Sequence, residues 1–149
     1  MAQTANFDTT EILNITCREG DTFSMTVTLK DSSGTGLTLV TDEYTFYMQV
    51  KSITSAGNKR TGRQIERVIL QTPSITKDDR STALLFEDPT IDNSGNVTIE
   101  ASAETMSKVQ PGSYLYDLKY VKPSATGLDT HKGVLRGSFT INSQVTDIY

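Results

Sequence analysis

The residues that could do chemistry are few and scattered. His131, the single histidine, stands two places after Asp129 in GLDTHKG, and a histidine oriented by a carboxylate is half of a general acid–base relay. No serine or cysteine lies in a GxSxG-like elbow that would hold a nucleophile against the imidazole. His131 therefore reads as an exposed side chain in a turn-like loop. Cys17 is the single cysteine, so neither an intrachain disulfide nor a cysteine-rich zinc site can form. It sits beside Ile15 in an apolar stretch, where a thiol behaves as a small buried hydrophobe.

Carboxylate pairs occur at Asp78 with Asp79 and at Glu87 with Asp88. Adjacent strand residues point to opposite faces, and no DxDxDG-like loop spaces oxygen ligands for calcium. Within DPTIDNSGN, the residues Asp88, Asp92 and Asn93 have the types of an Asx turn. The glycines of SSGTG and SAGNKRTG are followed by no helix, so the amide nest and dipole that cradle phosphate are not expected. Asn14-Ile15-Thr16 and Asn96-Val97-Thr98 match the glycosylation triplet, but both fall within predicted strands. No residue is nominated for a catalytic, cofactor-binding or metal-binding role.

One charge feature stands out. Lys51, Lys59, Arg60, Arg63 and Arg67 form a basic run in which Glu66 is the only acid. The chain as a whole has a formal net charge of -4 and a pI of about 4.9, so a basic tip on an acidic body can dock on an acidic partner. The run has no interleaved aromatic residue to stack on bases, and the acidic body argues against nucleic acid as a partner. Its alternative is a solvated loop.

The elements that must position these residues are strands. The 149 residues suit one domain with a continuous core. With 36% hydrophobic and 21% charged residues and no long apolar run, a membrane span is not expected. The opening MAQTANFDTTEILN has neither the basic nor the apolar region of a secretory signal, so export by that route is not expected either.

Alternation with period two places Leu13, Ile15 and Cys17 on one face of a strand at 12–17. The same period aligns Phe23, Met25, Val27 and Leu29 at 22–30, and Tyr44, Phe46, Met48 and Val50 at 44–50. IERVILQ at 65–71 and TALLFE at 82–87 have consecutive apolar residues and fit a short buried strand or a helical turn. Further on, Val97, Ile99 and Ala101 alternate, as do Tyr114, Tyr116, Leu118 and Tyr120, and then Leu135, Gly137, Phe139 and Ile141. Clusters of Gly, Pro, Asn, Asp and Ser close each strand.

Only SAETMSKVQ at 102–110 suggests helix, with Ser102 as cap and Met106 and Val109 toward a core. Many short strands with almost no helix between them predict antiparallel pairing and two stacked sheets. The longest irregular stretch, 52–62, is predicted to be an exposed hairpin tip.

In order along the chain, REGDTFSMTVTLKDSSG, LTLVTDEYTFYMQVKS, GNVTIEASAETMSKVQPGSYLYDLKYV and GVLRGSFTINSQVT form a recognisable series. It resembles a family of small β-sandwich proteins of tailed bacteriophages, similar to the N-terminal domains of upper baseplate and tail-fibre proteins. The likeness covers residues 18–52 and 95–146; residues 53–94 match in general character only. The chain departs from the family in a longer, more basic insert after Val50 and in a lead before Arg18.

The resemblance implies an all-β, two-sheet antiparallel immunoglobulin-like sandwich over residues 12–142, with one short helical turn near 102–109. An N-terminal arm at 1–11 and a C-terminal tail at 143–149 flank it. It implies a non-enzymatic virion component of the tail, baseplate or neck, made in the host bacterial cytoplasm, without a cofactor, membrane or small-molecule substrate. Its partners would be other copies of itself and other virion proteins. The expected contact residues are Phe7, Lys51, Lys59, Arg60, Arg63, Arg67, Ile148 and Tyr149. Two alternatives are a capsid decoration protein and a carbohydrate- or receptor-binding module; for the latter the chain has no Trp to build an aromatic platform.

Overall fold

A computed structural model describes residues 10–55, 64–75 and 83–146. Among the described residues, ten strands and one helix follow in order: β1 (Glu11–Ile12), β2 (Ile15–Arg18), β3 (Phe23–Thr28), β4 (Thr45–Ser55), β5 (Gln64–Gln71), β6 (Leu84–Leu85), β7 (Thr90–Ile91), β8 (Asn96–Ala101), α1 (Ala103–Ser107), β9 (Gly112–Lys122) and β10 (Thr130–Asn142). The larger sheet runs β1-β10-β9-β4-β5-β6, with β2 also on β10, and the smaller runs β3-β8-β7.

This is an immunoglobulin-like sandwich by its own strand order. A centre of β10, β9 and β4 extended by β5 and β6 faces β3, β8 and β7, the arrangement in which variable-type domains set a GFC sheet with added strands against B, E and D. Near the start of β9, the Tyr114 hydroxyl donates to the Gln110 carbonyl at 2.5 Å, the tyrosine-corner bond of such sandwiches. Two residues later, where antibody domains carry the second cysteine of the inter-sheet disulfide, stands Tyr116.

Packing takes the place of that disulfide. Phe46, Met48, Val50, Leu118, Phe139 and Ile141 from the larger sheet are buried against Phe23, Val97, Ile99 and Ala101 from the smaller. Phe139 lies at the junction, its ring 5.3 Å from that of Phe23 and 6.2 Å from that of Tyr116. Both aromatic pairs are tilted or edge-on, the geometry that ring quadrupoles favour. Leu70 and Phe86 bring β5 and the residue after β6 into the same core. Among the described residues, every buried side-chain nitrogen and oxygen has a hydrogen-bond partner. Thr72 shows how: its hydroxyl accepts from the Met48 amide at 3.1 Å and its own amide donates to the Met48 carbonyl.

The helix and turns follow local chemistry. Ser102 caps α1 by accepting from the Thr105 amide, and Met106 is buried beneath it. Asp92 Oδ1 accepts from the amides of Ser94 and Asn96, and Asp31 Oδ1 from those of Ser33 and Thr35. These bonds hold both carboxyls below their ordinary pKa, Asp31 chiefly through the Ser33 hydroxyl and Asp92 chiefly through the Asn96 amide. The Asx-turn reading of DPTIDNSGN is thus met by Asp92, while Asn93 reaches back to accept from the amides of Val40 and Thr41. Gly95, at φ 86°, closes the turn where the Leu29 carbonyl leaves no room for a Cβ.

Three departures from the sequence reading concern edges and ends. Pairing is antiparallel through the body of both sheets, but β1 and β2 run parallel to β10, and β5 runs parallel to β6. Strand direction is set by the connections between partners, which a period-two pattern does not register. The stretch 12–17 is two short strands instead of one: Ile15 and Cys17 face the core half-buried, whereas Leu13 is exposed. Finally, the predicted loops are partly strand. β4 runs on to Ser55, and β10 begins at Thr130, so His131 pairs with Val121.

Candidate interaction surface

Cross-strand register builds a row on the outward face of the larger sheet. Ile12 is opposite Arg136, Arg136 opposite Asp117, Asp117 opposite Gln49, Gln49 opposite Gln71, and Gln71 opposite Leu85. Side chains directly opposite one another on a sheet face are contact neighbours. The Gln49 amide nitrogen donates to Gln71 Oε1 at 3.0 Å, tying two of them together. The row thus has a polar centre, in which Gln71 is buried, and two apolar ends, Ile12 at 68% exposure and Leu85 at 51%.

A shallow depression of about 440 Å³ opens beside the row, lined by Ile12, Gln49, Lys51, Leu115, Asp117 and Arg136 among others. Leu115 is half exposed on this face and lies opposite Lys51. Two cations and one carboxylate around two exposed aliphatic side chains make a surface suited to protein contact: apolar area to bury, with charges to orient it.

A second opening lies at the sandwich's edge, between β2 and β3. It is lined by Leu13, Asn14, Ile15, Thr16, Cys17, Thr22, Phe23, Ser24 and Met25. The strand break beside it has a specific cause. The Leu13 carbonyl accepts from the Tyr116 hydroxyl at 2.6 Å, and Asn14 Oδ1 accepts from the Ser138 amide. Any Cβ on Gly137 would overlap the Leu13 carbonyl oxygen, so glycine is required for this close approach. Burial raises the Tyr116 pKa and keeps it the phenol that donates this bond.

The nominated contact residues divide. Lys51 lies half-buried on β4 and lines the depression, and Arg67 is exposed on β5. Lys51 stands opposite Val68 and Arg67 opposite Ser52, so strand alternation sends the two cations to opposite faces. They do not form one basic patch. Phe7, Lys59, Arg60, Arg63, Ile148 and Tyr149 lie outside the described residues, as do Asp78 and Asp79. The sequence reading missed Ile12, Leu115, Asp117 and Arg136. Their common face became legible only through register, although alternation had already set Leu115 and Asp117 opposite to Tyr116 and Leu118.

The candidate chemical groups are held apart. Asp129 Oδ1 accepts from the Ser124 amide and closes the turn before β10, while His131 is exposed in the strand. The Cys17 Sγ points to the Thr140 carbonyl at 3.7 Å, and burial, with Asp21 adding to it, raises the thiol pKa and disfavours the nucleophilic thiolate. Among the described residues no group of three or more His, Cys, Asp or Glu is placed to hold a metal ion, and no helix is long and apolar enough to cross a membrane.

No family profile matches the chain, and no curated protein matches it. Among solved structures, one described as the three-dimensional structure of the NK cell receptor Nkp44, a triggering partner in natural cytotoxicity, is similar over 91% of this chain and 100% of that one. The two are 10% identical with a TM-score of 0.36. The immunoglobulin-like assignment stands on the strand order and the tyrosine corner, and nothing about function follows from that likeness.

Proposed function

We propose that the chain is a non-enzymatic structural and assembly protein of a tailed-phage virion, a part of the tail, baseplate or neck. The observation that carries the assembly reading is the outward face of the larger sheet, with Ile12 and Leu115 exposed among Lys51, Asp117 and Arg136. A sheet anchored from beneath fixes the backbone positions of these residues, so only side-chain ordering is left to be lost when a partner covers them. The phage assignment is supported by the ordered series of motifs at 18–52 and 95–146. In the structure these motifs supply β3, β4, β8, α1, β9 and β10.

On this reading the protein is made in the host bacterial cytoplasm and resides in the virion. Its partners are other copies of itself and other virion proteins. Two measurements test it together. Sedimentation velocity over a concentration series should show species of two or more copies, and mass spectrometry should find the chain in purified particles. A strictly monomeric protein that is absent from particles overturns the proposal.

A further inference from the structure

β3 presents an unguarded strand edge. It pairs with β8 along Phe23 to Thr28, and among the described residues no strand pairs with its other side. In sandwiches of this type that side is the place of a first strand, A, next to B. Here the described N-terminal strands, β1 and β2, are both committed to β10 in the other sheet. Soluble proteins protect an open edge with lysine, proline, a bulge or a very short strand. β3 has the sequence FSMTVT, six residues in regular register with β8 and without a charge or proline. Alongside it runs the groove formed with β2, where Ile15, Cys17 and Met25 remain only partly buried.

We propose that this edge accepts an extended strand and that the occupant is the arm formed by residues 2–9 of a second copy of the chain. The inference rests on the assembly reading above. Length is sufficient: eight extended residues span roughly 26 Å against roughly 20 Å for β3. In composition, Phe7 supplies one large apolar side chain and Asp8 one charge among Ala, Thr, Asn and Gln.

Geometry favours the second copy over the same one. β1 and β2 run from Glu11 to Arg18, the chain turns where the Asp21 amide donates to the Arg18 carbonyl, and the start of β3 then lines one opening with residues 13–17. Thr10 is eight residues before Arg18, and Thr28 is only five after Phe23. Counted as extended chain, Thr10 would then enter at or beyond the level where β3 ends. An arm continuing the line of β1 would leave the domain past that end, and pairing with its own β3 would demand a full reversal just before Thr10. Residues 1–10 contain neither glycine nor proline, which leaves Asn6 and Asp8 as the residues that could shape such a reversal.

Native Cys17 lines the groove and provides a reporter. Phe7→Cys and, for the opposite strand face, Asn6→Cys are made in the full chain. Equal amounts of nitrogen-15-labelled and unlabelled protein are mixed, allowed to exchange and oxidised, and the disulfide-linked peptides are weighed. The proposal expects at least one variant to link to Cys17, with about half of the linked peptides carrying one label of each kind. Linkage only within a single chain, or no linkage to Cys17 from either position, overturns it. Deleting residues 2–9 should convert associated species to monomer in sedimentation; a deletion variant that associates as the full chain does overturns the arm exchange while leaving the assembly reading standing.

Discussion

The centre of the larger sheet and the seam where β2 meets β3 are built from similar residues and end in opposite states. In the centre, β4, β9 and β10 are eleven to thirteen residues long, and Met48, Leu118 and Phe139 are fully buried. At the seam, β1 and β2 have two and four residues, Ile15 and Cys17 are partly exposed, and Ile12 faces solvent. The difference is one of coverage. A strand flanked on both sides and beneath has its apolar face closed by neighbours, while an edge strand closes only half of it. Rigidity is thus concentrated where no partner can reach, and the residues available for joining lie along the margins and on the outward row.

Mutations can break or sharpen this contrast. The largest effect is expected at the centre: Phe139→Ala should cost about 3–5 kcal/mol in urea unfolding, because the ring joins both sheets and leaves a cavity. A loss under about 1 kcal/mol would show that the centre is not the anchor. Gly137→Ala should cost about 1–3 kcal/mol by pushing the Leu13 carbonyl off β10. Hydrogen exchange should then accelerate at Leu13 and Glu19 while Leu118 stays protected.

Tyr116→Phe removes the bond to Leu13 and should cost about 1 kcal/mol, loosening the seam and sparing the core. Ile12→Ser and Leu115→Ser are expected to change folding stability by no more than about 0.5 kcal/mol, yet weaken self-association by about tenfold, equivalent to about 1.4 kcal/mol. Equal loss of stability and association would erase the distinction between anchor and margin.

The smallest effect is a pH dependence at the turns. Asp31 and Asp92 have folded-state pKa values lowered by hydrogen bonds, so their contribution is complete above the unfolded carboxylate value of about 3.9. It is lost as pH falls through the lower folded values. Asp92→Asn should flatten the acid side of the stability profile, measured by denaturant titrations between neutral and acid pH. An unchanged profile would mean that the turn carries no pH-linked stability.

Much of the sandwich was legible in advance because alternation is a local consequence of the pleat. Phe46, Met48, Val50, Val97, Ile99 and Leu118 are buried where their spacing placed them. The helical turn was legible because Ser102 and Met106 satisfy a cap and a core contact within one turn of chain. Leu13 was not, since the strand break depends on Tyr116 and Gly137, more than a hundred residues away. The outward row was hidden for the same reason: six strands contribute to it, and pairing partners are not encoded by the period of any one of them. That Lys51 and Arg67 take opposite faces was not legible either, because hairpin register, with a bulge between Val50 and Lys51, decides which face each takes.

What the amino-acid order alone determined is the class of each segment: extended, turn or cap, and which side chains prefer to leave water. These follow from backbone geometry and local hydrogen bonding within a few residues. Only the tertiary structure decided that β1 and β2 would join β10, that β3 would have one side unpaired among the described residues, and that Ile12, Arg136, Asp117 and Gln49 would share a face. Such outcomes depend on which strands become neighbours, a competition among contacts distant in sequence that local pattern does not resolve.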